Sequence, residues 1–321
     1  MDIRLSGRCC VLLALAAVAL PALSQSWPTR SIRMVAPLPA GTASDAISRI
    51  LAQPLTQALG QQVVVDNKPG ADGAIAGLEV VRAAPDGHTL LFATNSPLAA
   101  VPALRKAPPY DVLNDFTPIS YIGRFTHFVL VHPTIPARSM AEFLAHARAN
   151  PGKLNYATGN TTSIISIAQL MRLTGISMVN VPYKGDPAAL IDLVAGRVQF
   201  MFATQGQSVA FVRDGRLRAL AVTNSKRSDL APEIPTLAES GLQFPILTWA
   251  SVVGPARMRP EVVERLNREL NAALGQPKVQ EEIARQGFEA SGSTPDELRA
   301  FLTQQLEIWT RLARELNLQT D

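Results

Sequence analysis

The sequence predicts an α/β fold built from two doubly wound sheets that are joined by two crossover strands. Short apolar runs alternate with amphipathic stretches from Ile32 to Ala93, in the βαβαβ order of a parallel sheet. The same alternation resumes after Ser139, beyond a long apolar stretch from Ile119 to Val131. A second apolar, β-branched stretch, Ile246 to Pro255, is predicted to return the chain to the first unit.

The N-terminal segment has the pattern of a secretory signal peptide. Arg4 and Arg8 supply positive charge before an apolar run, Cys9 to Leu20, that is too short to span a bilayer. Small residues precede the predicted cleavage site near Ser24/Gln25. We therefore expect a periplasmic protein whose mature chain is not inserted in the membrane.

Cysteine content and charge exclude several classes of site. Both cysteines, Cys9 and Cys10, lie in the predicted signal peptide, so the remainder has no disulfide, thiol nucleophile or cysteine metal ligand. The chain has 30 Lys and Arg against 26 Asp and Glu, a net charge of +4 without basic runs. This pattern does not favour binding to nucleic acid or to an anionic membrane.

The first strand, loop and helix form the strongest candidate binding element. The strand Ile32–Ala36 is followed by a loop rich in Pro and Gly, and Ser44 and Asp45 are predicted to cap the helix. Backbone N–H groups and the helix macrodipole favour an anion, for which we expect a carboxylate. The loop is neither G-x-G-x-x-G nor a P-loop, and an ordinary βα connection remains the alternative.

Two further loops are predicted at the carboxyl ends of strands, where ligands bind in open α/β sheets. Asn95 and Ser96 follow the strand Thr89–Ala93, and the polar loop Thr158–Ser163 precedes a helix in the second unit. The loop Thr158–Ser163 corresponds to the loop 37–45 of the first unit, and these two loops, facing each other across a cleft, could hold two carboxylates or one ligand by both ends. The alternative is that Thr161, Thr162 and Ser163 form only a helix-capping cluster.

The other elements follow from apolar periodicity and from turn residues. Further strands are predicted at 62–66, 154–157, 179–183, 200–203 and 217–223, and helices at 71–84, 139–150, 164–173, 260–274, 279–286 and 295–316, with another that ends at 195. The C-terminal helix is expected to pack on the first unit. The predicted boundaries are 1–24 for the signal peptide, 25–124 and 249–321 for the first lobe and 125–248 for the second, and two crossings suit hinge closure.

The sequence contains no recognisable catalytic set. The four histidines are scattered, no G-x-S-x-G motif occurs, and no carboxylate cluster has metal-loop spacing. Each histidine is predicted to be a surface or packing residue. We expect no metal and no organic cofactor, although an exported enzyme that uses the same cleft remains an alternative.

Several motifs together resemble one family. They are WPTRSIRMVAPLPAGTASD from Trp27, VVVDNKPGADG from Val63, PDGHTL from Pro85, YDVLNDFTPI from Tyr110, PGKLNY from Pro151, VPYKG from Val181, DLVAGRVQFMF from Asp192 and LRALAVT from Leu217. The chain resembles the Bug-type solute-binding receptors of tripartite tricarboxylate transporters over almost the whole mature sequence.

The resemblance implies a two-lobed periplasmic binding protein, type II-like, that closes on a small organic acid. It further implies a grip on the carboxylate through backbone groups and bridging waters, a monomer, and a membrane permease of this transporter type as partner. An orphan receptor that signals to a membrane partner is the alternative within the binding class.

The sequence departs from the family pattern at three places. Thr42 stands where a second glycine is usual, Ser166 begins the segment where the family has His-Leu-Ala, and Ala203 stands where Asp is common. We expect strand 200–203 to deliver Ala203 to the cleft, which would favour a ligand with a less polar or bulkier middle. The alternative is that Ala203 packs against a neighbouring helix.

These arguments give one set of expected ligand-binding residues and no catalytic residue. Gly41 is expected to be required for close backbone approach to the anion. The set comprises Leu38, Pro39, Ala40, Gly41, Thr42, Ser44, Asp45, Asn95, Ser96, Thr158, Asn160, Thr161, Thr162, Ser163, Lys184, Gly185, Ala203 and Thr204.

Overall fold

The computed structural model describes residues 27–244 and 246–318 of the chain. The predicted signal peptide, residues 1–24, and its cleavage site lie outside the described residues. Within the described part, no helix combines the length and the apolar character needed to cross a membrane.

The strands and helices alternate along most of the chain. The strands are β1 Ile32–Ala36, β2 Val63–Asn67, β3 Thr89–Thr94, β4 Phe116–Phe125, β5 His127–Val131, β6 Asn155–Thr158, β7 Val179–Pro182, β8 Phe200–Thr204, β9 Arg218–Val222, β10 Trp249–Pro255 and β11 Phe288–Ala290. The helices are α1 Ala43–Leu59, α2 Ala74–Val81, α3 Val101–Leu104, α4 Met140–Ala149, α5 Thr161–Thr174, α6 Asp186–Val194, α7 Gln205–Arg213, α8 Pro260–Leu274, α9 Pro277–Arg285 and α10 Pro295–Glu315.

The first sheet has six strands in the order β11-β4-β10-β3-β1-β2. The predicted parallel core is confirmed, because β1 pairs in parallel with both β2 and β3. The returning strand β10 is inserted antiparallel between β3 and β4, and all seven of its residues are buried. The sheet is therefore mixed, because β10 comes back from the second lobe. The edge strand β11 has only three residues, too few for a recognisable strand pattern in the sequence.

The second sheet has five strands in the order β7-β6-β8-β5-β9. Strands β6, β7 and β8 are parallel, and β5 runs antiparallel to β8 and β9. Thr126 alone separates β4 in the first sheet from β5 in the second. The two crossing segments are hydrogen-bonded to each other, since the Phe125 N–H donates to the Thr248 carbonyl over 2.8 Å.

Each sheet is covered on both faces, as the prediction of two doubly wound units requires. One face of the first sheet packs against α1, α8 and α9, and the other against α2, α3 and α10. The second sheet packs against α4 and α5 on one face and against α6 and α7 on the other. The predicted position of α10 is confirmed, since Leu298, Leu302 and Trp309 are buried in the core of the first lobe.

Two predicted helix starts are wrong. The N-cap of α1 is Thr42, whose hydroxyl accepts from the Asp45 N–H, so Ser44 and Asp45 lie in the first turn. Likewise α5 begins at Thr161 instead of Ile164, after Asn160 as its N-cap. Polar residues with similar capping preferences stand in a row at both places, so sequence preference alone does not select the capping residue.

Candidate functional site

The candidate site is a narrow cavity between the lobes, at the carboxyl ends of the parallel strands. Its volume is about 50 Å³, and a second cavity of about 20 Å³ adjoins it. Five residues line both cavities: His127, Asn160, Thr162, Asp186 and Thr248. The N-terminal turns of α1, α5 and α6 meet here, so the walls are rich in groups from helix starts.

The N-terminus of α1 presents free hydrogen-bond donors to the cavity. Ala43 and Ser44 are its first two residues, whose N–H groups have no intrahelical acceptor, and both residues line the cavity. The Ser44 side chain is 3% exposed, and its hydroxyl has no hydrogen-bond partner. A buried hydroxyl without a partner is costly unless a ligand supplies one, so this turn is suited to an anion.

Asp45 holds the loop before α1 in place. Its carboxylate accepts from the Gly41 N–H at 3.0 Å, Arg49 Nε at 2.9 Å and Asn67 Nδ2 at 3.0 Å. Desolvation would raise the pKa of Asp45, but these hydrogen bonds, with that from Arg49 the strongest, keep the pKa below its ordinary value. Asp45 is therefore an ionised support for the loop and does not line the cavity.

Gly41 adopts a backbone conformation that favours glycine. Its φ is +83°, in the left-handed region, while a Cβ built on it would meet no atom within 4 Å. The glycine is thus required by conformation and not by crowding. Its carbonyl accepts from Gln207 Nε2 of the second lobe over 2.8 Å.

The N-terminus of α5 satisfies most of its own polar groups. Asn160 Oδ1 accepts from the Ser163 N–H, and the Ser163 hydroxyl donates back to the Asn160 carbonyl at 2.7 Å. The Thr162 hydroxyl accepts from Asn95 Nδ2 at 2.7 Å, which is a direct contact between the lobes. Of the three residues expected as a capping cluster, only Ser163 takes part in the capping box, whose N-cap is Asn160, while Thr162 bonds across the lobes and both Thr162 and Ser163 line a cavity.

Asp186, the first residue of α6, is the main residue that the sequence analysis missed. Its carboxyl lines both cavities, and Oδ1 accepts from Asn160 Nδ2 at 3.3 Å. Burial raises the pKa of Asp186 to about 6. Its position directly after Gly185, beyond the end of β7, was a signal that could have identified it.

His127 and Thr248 form the floor of the site where the chain crosses between the lobes. His127 Nδ1 lies 3.0 Å from the Thr248 hydroxyl, and both residues line both cavities. Desolvation lowers the pKa of His127 to about 4, so its ring is neutral at pH 7. His127 packs edge-on against Phe125, which agrees with the prediction of a packing residue, and it also lines both cavities, which the sequence did not predict.

The expected ligand-binding residues divide into two groups. Those that line a cavity are Leu38, Thr42, Ser44, Asn95, Ser96, Asn160, Thr162, Ser163, Gly185 and Thr204. Those that do not are Pro39, Ala40, Gly41, Asp45, Thr158, Thr161, Lys184 and Ala203. Lys184 is exposed, and the Thr158 hydroxyl donates to Asn180.

The expectation that β8 delivers Ala203 to the cleft is wrong. Ala203 is 1% exposed and lies in the apolar cluster that includes Ala189, Leu190 and Leu193 of α6. Successive side chains of a strand point to opposite faces, and it is the neighbours Phe202 and Thr204 that line the cavities. The alternative, that Ala203 packs against a helix, is therefore correct.

Thr42 and Ser166, the two remaining departures from the family pattern, both lie at the site. Thr42 replaces a glycine and becomes the N-cap of α1, while also lining the larger cavity. Ser166, on α5, lines the smaller cavity together with Phe202 and Phe244. These residues give this end of the site a mixed polar and aromatic surface.

The described lining of the site offers neutral hydrogen-bond donors to an anion and contains one acidic acceptor. No Lys or Arg is among the described residues that line either cavity, and Asp186 is their only carboxyl group. Within the described residues, no cluster of three or more His, Asp or Glu could hold a metal ion. An anion here would be bound through N–H, hydroxyl and amide groups.

Comparison with known proteins gives a consistent result. The family described as "Tripartite tricarboxylate transporter family receptor" matches residues 47–318. The chain is 35% identical to protein BugT of Bordetella pertussis over 309 residues, which cover 95% of each chain.

Solved structures share the fold at high similarity. An R. palustris protein with adipate, Rpa4515, aligns with a TM-score of 0.86 and 30% identity, over 91% of this chain and 98% of that one. MatC from Rhodopseudomonas palustris with bound malate aligns with a TM-score of 0.83 and 27% identity, over 89% of this chain and 99% of that one.

Proposed function

The chain belongs to the tripartite tricarboxylate transporter receptor family, and on that premise we propose that it is a periplasmic receptor that closes on a small organic carboxylate. It presents this ligand to a membrane permease of the tripartite tricarboxylate type. The receptor acts by binding and conformational change, without chemistry on the ligand.

The observation that carries this proposal is the set of donors at the start of α1. The first two residues of α1, with their free N–H groups and the unpartnered Ser44 hydroxyl, line a cavity in which no described residue is a Lys or Arg. A carboxylate supplies the acceptors that these donors lack, and the helix macrodipole adds to the attraction. The relatives with bound adipate and malate support the same ligand class.

Closure of the two lobes is the second part of the proposal. The walls already meet through Gln207 with Gly41 and through Asn95 with Thr162, and Arg172 of α5 pairs with Glu315 of α10 at 3.1 Å. Only Thr126 and the segment before β10 connect the sheets. Rotation about these two crossings would open the cleft to admit ligand.

The proposal also covers processing, domain boundaries and assembly. We propose export with cleavage near Ser24/Gln25, a first lobe formed by 25–124 and 249–321, a second lobe formed by 125–248, and a monomer. Sequencing of the mature N-terminus from a periplasmic extract tests the export, and a retained Met1 would contradict it.

A thermal-shift screen of mono-, di- and tricarboxylates tests the function. A ligand at ~100 times its Kd adds ~2.7 kcal/mol to the stability of the folded state, which gives an upward shift in Tm. Matched alcohols and amides of the same carbon skeletons serve as controls. A shift with the controls but with no carboxylate would contradict the proposal.

A further inference from the structure

Asp186 is a carboxyl group in the wall of a site that is proposed to bind a carboxylate. It lines both cavities, and Asn160 Nδ2 is the one hydrogen-bond donor found on it among the described residues, at 3.3 Å. Asp45, the acid in the first turn of α1, has three donors within 3.0 Å. Asp186 is therefore left with acceptor capacity that faces the cavity.

The backbone around Asp186 fixes its position. A Cβ built on Gly159 would lie 2.3 Å from Asp186 Oδ1 and 2.6 Å from the Asp186 nitrogen, so the start of α6 is packed directly on the loop before α5. Proline at 187 follows in the first turn of α6. The carboxyl is thus held at the junction of the two cavities by close packing, and it is not a flexible surface group.

The charge balance of the closed site constrains the ligand. No Lys or Arg lines the cavities in the described part of the chain, and His127, the other titratable side chain there, is neutral at pH 7. A ligand with a second carboxylate beside Asp186 would place two negative groups together without a cation. A ligand that brings a hydrogen-bond donor would instead satisfy Asp186.

We propose that Asp186 selects ligands that carry a hydroxyl or ammonium group near the carboxylate bound at α1. This inference rests on the proposed function, since it requires the carboxylate to occupy the start of α1. The start of α1 then binds the carboxylate of the ligand through hydrogen-bond donors. Asp186 binds the hydroxyl or ammonium group of the same ligand as an acceptor. We therefore expect a ligand that carries a hydrogen-bond donor, and no longer the ligand with a less polar middle that Ala203 was expected to favour.

The test uses probes with matched carbon skeletons. Succinate, malate and aspartate differ only in H, OH or NH₃⁺ at one carbon, and adipate, 2-hydroxyadipate and 2-aminoadipate repeat the series at greater length. Isothermal titration calorimetry at pH 7.5 gives the Kd of each with the unaltered protein and with the variants Asp186→Asn and Asp186→Ala. The matched control is Asp192→Asn, because Asp192 lies on the same helix but bonds to Tyr183 and Arg197 away from the cavities.

In at least one series, we expect a donor-bearing probe to bind tenfold or more tightly than its plain analogue. Asp186→Ala should reduce that ratio to below threefold, whereas Asp192→Asn should leave it unchanged. A preference that survives Asp186→Ala, or the absence of any preference, would overturn the inference while leaving carboxylate binding intact. Failure of every probe to bind would instead reject the proposed function and this inference with it.

The pH dependence of binding separates ammonium probes from plain dicarboxylates. With an ammonium probe, binding should tighten as pH rises from 5 to 7 and Asp186 ionises. With plain dicarboxylates, the affinity for the fully ionised probe should weaken over the same range, because the ionised Asp186 repels the second carboxylate. His127 stays neutral over this range because burial keeps its pKa at about 4. The same trend for both probe classes would contradict the assigned role of Asp186.

Discussion

The two walls of the cleft use the same residue types in opposite ways. The first wall is the start of α1, and the second wall is formed by the starts of α5 and α6. In the first wall the acid, Asp45, is fully hydrogen-bonded and the serine, Ser44, has no partner. In the second wall the serine, Ser163, is bonded within its capping box and the acid, Asp186, has one long hydrogen bond. The comparison shows that residue type alone does not determine which side chain at a helix start is available to a ligand. The available side chain is the one whose hydrogen-bonding capacity is not used within the protein.

The largest effect is expected from Asp45→Asn, which removes the charge that organises the first wall. Loss of charged hydrogen bonds to Gly41, Arg49 and Asn67 should lower the free energy of unfolding by about 2–4 kcal/mol. Carboxylate affinity should fall more than tenfold, because the loop before α1 would no longer be fixed. Urea denaturation and calorimetry measure the two effects.

The control for Asp45→Asn is Glu281→Gln, which breaks an exposed ion pair with Arg285. It should change the free energy of unfolding by less than about 0.5 kcal/mol. Equal stability of the two variants would show that Asp45 does not support the loop.

Asp186→Asn should raise the free energy of unfolding, in contrast to Asp45→Asn, and the size of this increase should depend on pH. The pKa of Asp186 is raised from 3.8 to about 6, so the folded state binds its proton more tightly than the unfolded state does. Stability is then lost as pH rises from about 4 to about 6, by up to about 3 kcal/mol at pH 7. The Asn variant should recover most of this loss at pH 7 and none at pH 4.

Denaturation of the Asp186→Asn variant and the unaltered protein at pH 4 and pH 7 provides the measurement. A stability difference that is the same at both pH values would mean that the ionisation of Asp186 is not penalised. Asp186 would then not differ from Asp45 in the energetic cost of carrying its charge.

Ser44→Ala sharpens the comparison at the level of a single hydroxyl. Because this hydroxyl is buried without a partner in the protein, its removal should raise the free energy of unfolding, by about 1 kcal/mol. Carboxylate affinity should fall about tenfold, equivalent to about 1.4 kcal/mol. Ser48→Ala is the matched control, since Ser48 is buried on the same helix and donates to the Asp45 carbonyl outside the cavity wall. Unchanged affinity of Ser44→Ala would remove this hydroxyl from the site.

The smallest effect is expected from Ser163→Ala, and it should fall on stability instead of binding. The capping box of α5 loses one of its two reciprocal hydrogen bonds, which should cost about 0.5–1 kcal/mol. Affinity should change less than twofold, because the hydroxyl donates to Asn160 and not to ligand. A larger loss of affinity than in Ser44→Ala would reverse the comparison of the two walls.

The order and type of most elements, and the family of the chain, can be predicted from the amino-acid sequence alone. Apolar runs broken by Pro and Gly mark strands and turns locally, and the strand–loop–helix unit from Ile32 places donors at a helix start. Leu38, Ser44, Asn95 and Thr162 were predicted in this way and lie in the cavity wall. Strand alternation implies that Ala203 and Thr204 of β8 cannot both face the cleft, but only the packing shows that Thr204 does.

Which of these local features come into contact depends on the packing of distant segments and cannot be predicted from local sequence. The antiparallel place of β10 depends on a chain that leaves the first sheet and returns from the second, which no local pattern records. His127 and Thr248 are 121 positions apart and become neighbours only because both crossings pass the same point. Asp186 acquires its character from burial against Gly159 and Asn160, since desolvation is a property of the packed site and not of the aspartate.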